Sequence, residues 1–272
     1  MRHHAPPPTD HISDEYAAIA EVYDLWSADM TADVPFYVSE AVATGGPVLE
    51  VGVGTGRVSV AMARAGVDVV GIDVSPSMLR RARERVQREG LGGRVEVIEA
   101  DMRGFELERT FKLAVLPYRV LAHALTPDEQ LSALRSVRAH LPPGGRLVFN
   151  LPVPRPDGLA LHDGLRREGR YQLDDGREAV LWRHADYEPG TQRVRFHFVV
   201  DHLDPEGRVT DRVHGESLVR QNSPGEIEHA LARAGFEIVD RWGWFDRRPF
   251  VADSPEMVWA AVRTEDWVNP GR

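Results

Sequence analysis

The stretch Val48-Leu49-Glu50-Val51-Gly52-Val53-Gly54-Thr55-Gly56-Arg57 decides the fold of this chain. It starts with a short apolar run, continues with a glycine at every second position, and leads into a helical pattern. Glycine is needed where the backbone turns sharply and where a ligand lies against main-chain N–H groups. The stretch therefore predicts the first strand of an α/β domain and a loop that binds a cofactor.

Strand and helix patterns alternate after this loop. The apolar periodicity predicts helices over about 34–43, 57–65, 75–89, 128–140 and 224–234, and further strands over 68–73, 95–99, 112–116, 145–150, 236–239 and 257–262. Most of these strands are short and apolar on both faces, which is typical of parallel strands covered by helices. We expect a doubly wound, mostly parallel α/β sheet of seven strands.

Two segments add to this core. Residues 14–28 place Tyr16, Ile19, Tyr23 and Trp26 three or four positions apart, which predicts one face of a helix. Three longer runs of alternating polar and apolar residues, 178–187, 193–203 and 208–219, predict an inserted antiparallel β meander. The predicted organisation is an N-terminal helical cap or lid (1–46), a cofactor-binding core (47–156), an inserted β region (157–222), the end of the core (223–264) and a tail (265–272).

Composition counts against several classes of function. The chain has 33 Lys and Arg against 42 Asp and Glu, a net charge of −9, which disfavours nucleic acid as a partner. It has no cysteine, so thiolate metal sites and disulfides are absent and a reducing compartment is favoured. No apolar run approaches the roughly 20 residues of a membrane span. We expect a cytoplasmic protein with a small-molecule substrate and no membrane partner.

A metal site is not expected in the meander either. His197, His202 and His214 fall in it, but an odd spacing places His197 and His202 on opposite faces of a regular strand.

Acidic residues follow the second and third predicted strands. Asp73 stands at the end of the second, where one carboxylate can accept from the two adjacent hydroxyls of a ribose. Asp101 follows the third, where an adenine amino group needs an acceptor. Dinucleotide enzymes and methyltransferases share a glycine-rich turn and the first of these acids. The alternate glycine spacing and Asp101 count against a nicotinamide-dependent oxidoreductase.

With these motifs in this order, the chain resembles the class I S-adenosylmethionine-dependent methyltransferases. Its closing segment, Arg247–Met257, is similar to that of bacterial N-methyltransferases of sugar amines and antibiotics. The resemblance covers about 16–262 and implies S-adenosyl-L-methionine as the cofactor. It implies that the cofactor is bound by Tyr23, Glu50, Gly52, Gly54, Gly56, Asp73, Val74, Met78, Asp101, Met102, Leu116 and Pro117.

The resemblance also implies catalytic roles for His123 and Tyr16. Methyl transfer is a direct displacement, so the protein mainly aligns the acceptor and excludes water, while an amine acceptor must also be neutral to attack. His123, just beyond the fourth strand, is the candidate base, and the alternative is a structural histidine under the next helix. The resemblance places Tyr16 near the methyl group. The alternative is that Tyr16 only packs against the core, as part of the apolar face of the N-terminal helix. Arg57 and Arg119 are two cations that could pair with the cofactor carboxylate.

The sequence thus predicts an S-adenosylmethionine-dependent methyltransferase acting on a small molecule, with an amine nitrogen in antibiotic-type secondary metabolism favoured as the acceptor. Three alternatives stay open: an O-methyltransferase of the same fold, a nicotinamide-dependent oxidoreductase, and a cofactor-binding module without catalysis.

Overall fold

A computed structural model describes residues 14–154 and 164–265. In chain order its helices are α1 (Ala20–Trp26), α2 (Asp33–Thr44), α3 (Arg57–Arg64), α4 (Pro76–Arg88), α5 (Pro127–Ala139) and α6 (Pro224–Arg233). Its strands are β1 (Val48–Val51), β2 (Val69–Asp73), β3 (Val95–Glu99), β4 (Leu113–Leu116), β5 (Arg146–Pro152), β6 (Arg166–Gln172), β7 (Glu178–Glu188), β8 (Arg193–Leu203), β9 (Val209–Arg220), β10 (Phe236–Trp242) and β11 (Glu256–Arg263). The start of the predicted cap, 1–13, and all of the predicted tail except Glu265 lie outside the described residues.

Seven strands form one sheet in the order β10-β11-β5-β4-β1-β2-β3. The pairs between β5 and β3 are parallel, whereas β11 runs antiparallel to both β5 and β10. The predicted mostly parallel, seven-stranded α/β sheet is therefore confirmed. After β3 the chain crosses to the other side of β1 and adds β4, so the strand order reverses between β1 and β4. In such sheets the ligand crevice lies at this point, beyond the carboxyl ends of the strands.

Helices cover both faces of this sheet. Leu49 and Ile72 belong to the core beneath α5 and α6, while Val48 and Val69 belong to a second core with α2 and α3. Successive residues of a strand point to opposite faces, so a strand buried on both faces must be apolar at consecutive positions. β1 and β4 are buried at every position. This double burial is the reason that their sequences are continuous apolar runs interrupted only by Glu50.

A second sheet is antiparallel, with the strand order β6-β7-β8-β9. The sequence predicted three of its strands, which correspond to β7, β8 and β9. The prediction was incomplete, because β6 is a fourth strand that pairs with β7. Its sequence, RREGRYQ, lacks the apolar alternation that marks a strand, and it is only partly buried at the edge of the sheet. On the inner face Leu181, Phe198 and Val200 pack against Val22 of α1.

The N-terminal helix is shorter than predicted. Turns occupy 15–19, and α1 begins only at Ala20. Side-chain contacts to other elements hold the segment before it. The carboxylate of Asp14 accepts from Ser75 Oγ at 2.6 Å and from Ser77 N at 2.9 Å at the start of α4. These contacts fix the first turns over the carboxyl edge of the seven-stranded sheet, where a regular helix from residue 14 was expected.

None of the helices in the described part of the chain combines the length and the apolar character needed to cross a membrane.

Candidate active site

A cavity of about 320 Å³ lies at the carboxyl ends of β1, β2 and β4, at the reversal of the strand order. Eleven of the residues predicted as site residues line it: Tyr16, Tyr23, Gly52, Gly54, Asp73, Val74, Met78, Asp101, Met102, Pro117 and His123. The resemblance placed these residues from five separate segments at one site, and the fold brings them together there.

The glycine loop after β1 forms the floor of this cavity. Gly52, Gly54 and Gly56 have φ angles of 72°, 53° and 80°, a region that residues with a Cβ rarely adopt. A Cβ at Gly54 would meet nothing within 4 Å, so this glycine faces open space in the cavity. A Cβ at Gly52 would lie 2.3 Å from Val120 Cγ2. The loop therefore needs glycine both for its backbone conformation and for a close contact with the segment that follows β4.

Asp73 braces the glycine loop from the end of β2. Its Oδ2 accepts from Gly54 N at 2.8 Å, and its Oδ1 accepts from Ser75 N at 3.0 Å. Burial raises the pKa of this carboxyl group, although the backbone hydrogen bonds oppose the shift. A carboxylate has about four lone-pair positions, so both oxygens can accept further hydroxyl hydrogens from a ligand.

Asp101 lines the same cavity from the segment just after β3. Arg103 donates to its carboxylate through Nε at 3.0 Å and through Nη2 at 2.6 Å. Burial alone would raise the pKa of Asp101, but the hydrogen bonds and charge of Arg103 lower it. Arg103 also pairs with Glu129 at 3.1 Å. The acid is thus ionised and held in place by a guanidinium group that itself lines the cavity.

Tyr16 and His123 meet at the cavity wall. Tyr16 Oη and His123 Nε2 are 3.0 Å apart, and their rings are in edge contact with centroids at 5.7 Å. Burial lowers the pKa of His123 to about 4, against a smaller opposing effect of a backbone hydrogen bond with Leu218. Burial also raises the pKa of Tyr16. At neutral pH the pair is therefore a neutral imidazole hydrogen-bonded to a neutral phenol.

Two acids at the cavity were not predicted from the sequence. Asp14 lines it while bound to the start of α4, and these hydrogen bonds lower its pKa although burial acts in the opposite direction. Glu15 lies beside the catalytic candidates, with its Oε2 3.9 Å from His123 Nδ1, and burial raises its pKa. Acidic residues are common in a polar N-terminal stretch, so only the fold distinguishes these two from surface acids.

Three predicted cofactor residues do not line this cavity. Leu116 is fully buried at the end of β4, and Gly56 begins α3 with a Cβ position 3.4 Å from Ala82. Glu50 is also buried, its carboxyl group is bonded to the hydroxyl of Ser59, and burial raises its pKa to about 8. Their direct contact with the cofactor, which the resemblance implies, stays a prediction.

The two arginines considered as partners of the cofactor carboxylate are paired with protein acids. Arg57 donates to both carboxylate oxygens of Asp33, at 2.6 and 2.7 Å. Arg119 pairs with Glu256 of β11. Neither arginine lines the cavity.

The histidines of the four-stranded sheet lie away from the cavity. His197 is bonded to Asp186 at 3.0 Å and paired with Glu216 at 2.9 Å, whereas His202 contacts Arg177. Among the residues that the structure describes, no three His, Cys, Asp or Glu side chains are grouped in a way that could hold a metal ion.

Comparison with known proteins agrees with this geometry. The family described as "Methyltransferase domain" matches residues 48–145. The solved CcbJ methyltransferase of Streptomyces caelestis is 30% identical, with 93% of this chain and 100% of that chain covered and a TM-score of 0.76. The chain belongs to the class I S-adenosylmethionine-dependent methyltransferases.

Two curated relatives cover most of this methyltransferase. The cypemycin N-terminal methyltransferase of a Streptomyces species is 28% identical over 242 residues, which are 88% of this chain and 93% of that protein. The dTDP-3-amino-3,4,6-trideoxy-α-D-glucopyranose N,N-dimethyltransferase of Streptomyces venezuelae is 28% identical over 229 residues, 80% of this chain and 90% of that protein. The family assignment excludes the nicotinamide-dependent oxidoreductase considered from the sequence.

The cofactor of this methyltransferase is S-adenosyl-L-methionine, and the residues at the cavity fit it. Gly54 faces open space where a ligand can approach the backbone, and the Asp73 carboxylate has spare acceptor capacity for hydroxyl groups. Four carboxylates line the cavity against one guanidinium, which suits the positive charge of a sulfonium. When bound, the cofactor supplies an activated methyl group for direct displacement.

Proposed function

We propose that this methyltransferase N-methylates an amine on a small molecule. The observation that carries the proposal is the hydrogen bond between Tyr16 Oη and His123 Nε2 at the cavity wall, with the carboxylate of Glu15 beside it. An amine must lose a proton before or after it accepts a methyl group, so its enzyme benefits from a route for that proton. A hydrogen-bonded phenol and neutral imidazole provide one.

The proton route uses both residues. The acceptor nitrogen gives its proton to Tyr16 Oη, while the Tyr16 hydroxyl hydrogen moves to His123 Nε2. This transfer requires an unprotonated imidazole, and the lowered pKa of His123 keeps it in that form at neutral pH. Glu15, 3.9 Å from the other ring nitrogen, stabilises the imidazolium that forms. Tyr16 and His123 are accordingly the proposed catalytic residues.

The charge of the cavity favours a cationic acceptor. Asp14, Glu15, Asp73 and Asp101 line the cavity, and among the described residues that line it Arg103 is the only one with a guanidinium group. Acidic side chains around a partly enclosed cavity create a negative potential, which attracts an ammonium group. A neutral hydroxyl acceptor would gain nothing from this potential.

Cofactor binding is proposed for the residues on the other walls. Gly52 and Gly54 let its methionine part approach the backbone, Asp73 accepts from its ribose hydroxyls, and Asp101 with Met102 lies beside its adenine. Tyr23, Val74, Met78 and Pro117 line the same cavity and complete the binding surface. Glu50 acts indirectly: its hydrogen bond with Ser59 of α3 supports β1 and the glycine loop.

The names of the two curated relatives support an amine acceptor. One is named for methylation at the N-terminus of cypemycin and the other for dimethylation of a nucleotide-linked amino sugar. We further propose that the four-stranded sheet and the N-terminal segment form the acceptor side of the site, since α1 packs on the inner face of that sheet while Tyr16 reaches the cavity. We propose a place in natural-product biosynthesis and a cytoplasmic location.

The proposal is tested with acceptors in matched pairs. Each amine, either a nucleotide-linked amino sugar or a short peptide with a free α-amine, is offered together with its analogue that has a hydroxyl in place of the amine. Release of S-adenosylhomocysteine is measured, and binding of S-adenosylmethionine is measured separately by calorimetry. Turnover of an amine but not of its hydroxyl analogue supports the proposal. Turnover of the hydroxyl analogues alone would identify an O-methyltransferase, and binding without any turnover across the panel would count for a non-catalytic module.

A further inference from the structure

Two consecutive residues with side chains adopt left-handed backbone conformations just after β4 and Pro117. Tyr118 has a φ angle of 57° and Arg119 a φ angle of 68°. In this region the Cβ atom crowds the following carbonyl oxygen, so an L-residue stays there only when its surroundings hold it. The turn they form leads into the 3₁₀ turn Val120–His123, and Tyr118, Val120 and His123 all line the cavity.

Asn150 of β5 holds the first of these residues. Its Oδ1 accepts from Tyr118 N at 2.8 Å and from Tyr37 Oη, also at 2.8 Å. Its Nδ2 donates to Glu256 Oε2 at 3.0 Å. Asn150 is buried, and these three partners use both oxygen lone pairs and one amide hydrogen. The backbone of the turn is thus fixed to the central part of the sheet.

Glu256 of β11 holds the second residue through a charge pair. Arg119 Nε donates to Glu256 Oε1 at 3.0 Å, and Arg119 Nη2 bonds to the same oxygen. The side chain of Glu256 is 5% exposed, whereas that of Arg119 is 46% exposed. A charge-assisted hydrogen bond to a buried carboxylate is stronger than a surface ion pair. Arg119 therefore links the turn to β11 through a side chain that is itself partly exposed to solvent.

The held turn is in close contact with the cofactor loop. The position of a Cβ at Gly52 lies within 2.3 Å of Val120 Cγ2 and 2.7 Å of Val120 Cγ1. The side chain of Val120 therefore occupies the space left by the missing Cβ of the first glycine. A shift of the turn would move Val120 relative to Gly52. Both residues line the cavity, so its shape would change.

We infer that Arg119, Asn150 and Glu256 are positioning residues, which hold the 118–120 turn against Gly52 and so set the affinity for S-adenosylmethionine. Arg119 has this role through its pair with Glu256, and not by contact with the carboxylate of the cofactor. The inference assumes that S-adenosylmethionine binds in this cavity. It does not depend on which acceptor is methylated.

The experiment compares two exposed arginines that are each paired with a buried carboxylate. Arg212 is 54% exposed and bonded to Asp201, which is 4% exposed and has Trp182 Nε1 as a second donor at 3.0 Å. Asp201 lies in the four-stranded sheet and does not line the cavity. Arg212→Ala is therefore the matched control for Arg119→Ala, because each variant removes one charge from one buried acid that keeps a second partner.

The dissociation constant of S-adenosylhomocysteine is measured by calorimetry for the wild type, Arg119→Ala, Arg212→Ala and Arg119→Gly, together with each melting temperature. We expect Arg119→Ala to weaken binding by roughly tenfold and Arg212→Ala to stay within about twofold of the wild type, at similar losses in melting temperature. Glycine adopts a positive φ at no steric cost, so Arg119→Gly should restore much of the affinity that Arg119→Ala loses.

Equal affinities of Arg119→Ala and Arg212→Ala would overturn the inference, since the pair with Glu256 would then matter only for stability. Binding by Arg119→Gly as weak as that by Arg119→Ala would overturn it as well, since the backbone conformation at position 119 would not be what the pair maintains. A failed search for an amine acceptor leaves this measurement unaffected.

Discussion

Tyr16 Oη and His123 Nε2 are 3.0 Å apart, although 107 positions separate the two residues in the chain. Tyr16 comes from the turns before α1, and His123 comes from the 3₁₀ turn after β4. The closing of the N-terminal segment over the sheet therefore brings together the two groups that we propose to carry the proton of the acceptor.

The coupling of these two residues can be measured by a double-mutant cycle. We expect His123→Ala to lower turnover of the amine acceptor by about a hundredfold and Tyr16→Phe by about tenfold, because each change interrupts the proton route. If both residues belong to one route, the double variant should lose about as much as His123→Ala alone. Steady-state rates with saturating cofactor give the comparison.

His229→Ala serves as the control for the loss of a histidine. His229 lies on α6, outside the four-stranded sheet, and it does not line the cavity. A double variant whose loss equals the product of the two single losses would show that Tyr16 and His123 act independently. Retention of full turnover by His123→Ala would remove the histidine from the mechanism.

His123 also makes stability depend on pH. Its pKa of about 4 in the folded chain lies below the ordinary value of 6.5. Its contribution to stability is therefore fully present above pH 6.5, and it is lost as the pH falls from there towards 4. Relative to His123→Gln, the wild type should lose at most about 1.4 kcal/mol of unfolding free energy per pH unit across this window. Urea unfolding at several pH values measures the difference, and a constant difference would contradict an imidazole that is neutral in the folded chain.

Asp73 should control the affinity for the cofactor. Asp73→Asn keeps the shape of the side chain but removes its charge, and it replaces one acceptor by a donor that faces Gly54 N or Ser75 N. We expect S-adenosylhomocysteine to bind about tenfold to a hundredfold more weakly, as for the loss of hydrogen bonds to a charged group. Calorimetry measures the change, with Asp186→Asn on the exposed part of β7 as the control. Unchanged binding would remove Asp73 from the cofactor site.

Glu50 has the opposite pH dependence to His123. Burial raises its pKa from 4.5 to about 8, so the folded chain favours the protonated carboxyl group. Its contribution is therefore fully present below pH 4.5 and is lost as the pH rises towards 8. Relative to Glu50→Gln, which can still accept from Ser59, the wild type should lose stability by at most about 1.4 kcal/mol per pH unit over this window. If the difference between the two proteins does not vary with pH, Glu50 is ionised throughout and the assigned pKa is wrong.

The order of the core elements could be predicted because local chemistry determines it. Continuous apolar runs predict strands buried on both faces, and Ser75-Pro76 predicts the start of α4, which Ser75 caps by accepting from Met78 N. β6 could not be found in this way, because its RREGRYQ sequence owes its strand conformation to pairing with β7. The late start of α1 depends on the tertiary contacts of Asp14 with α4.

The lining of the cavity could be predicted where a residue type recurs in a known pattern, as for Gly52, Gly54 and Asp73. It was not predictable where the task depends on distant partners. Asp14 and Glu15 come to the cavity only because the N-terminal segment folds over α4 and β9. No sequence pattern marks Tyr118 and Arg119 as left-handed, since neither is a glycine, and their conformation depends on Asn150 and Glu256.

The most direct test of amine methylation is the position of the transferred methyl group. The enzyme is incubated with S-adenosylmethionine that carries a carbon-13 methyl group and with a matched pair of amine and hydroxyl acceptors. The products are examined by NMR, because N-methyl and O-methyl carbons have separate chemical shifts. We expect a labelled N-methyl product from the amine and no labelled product from its hydroxyl analogue. A labelled O-methyl product formed at an equal or greater rate would contradict it.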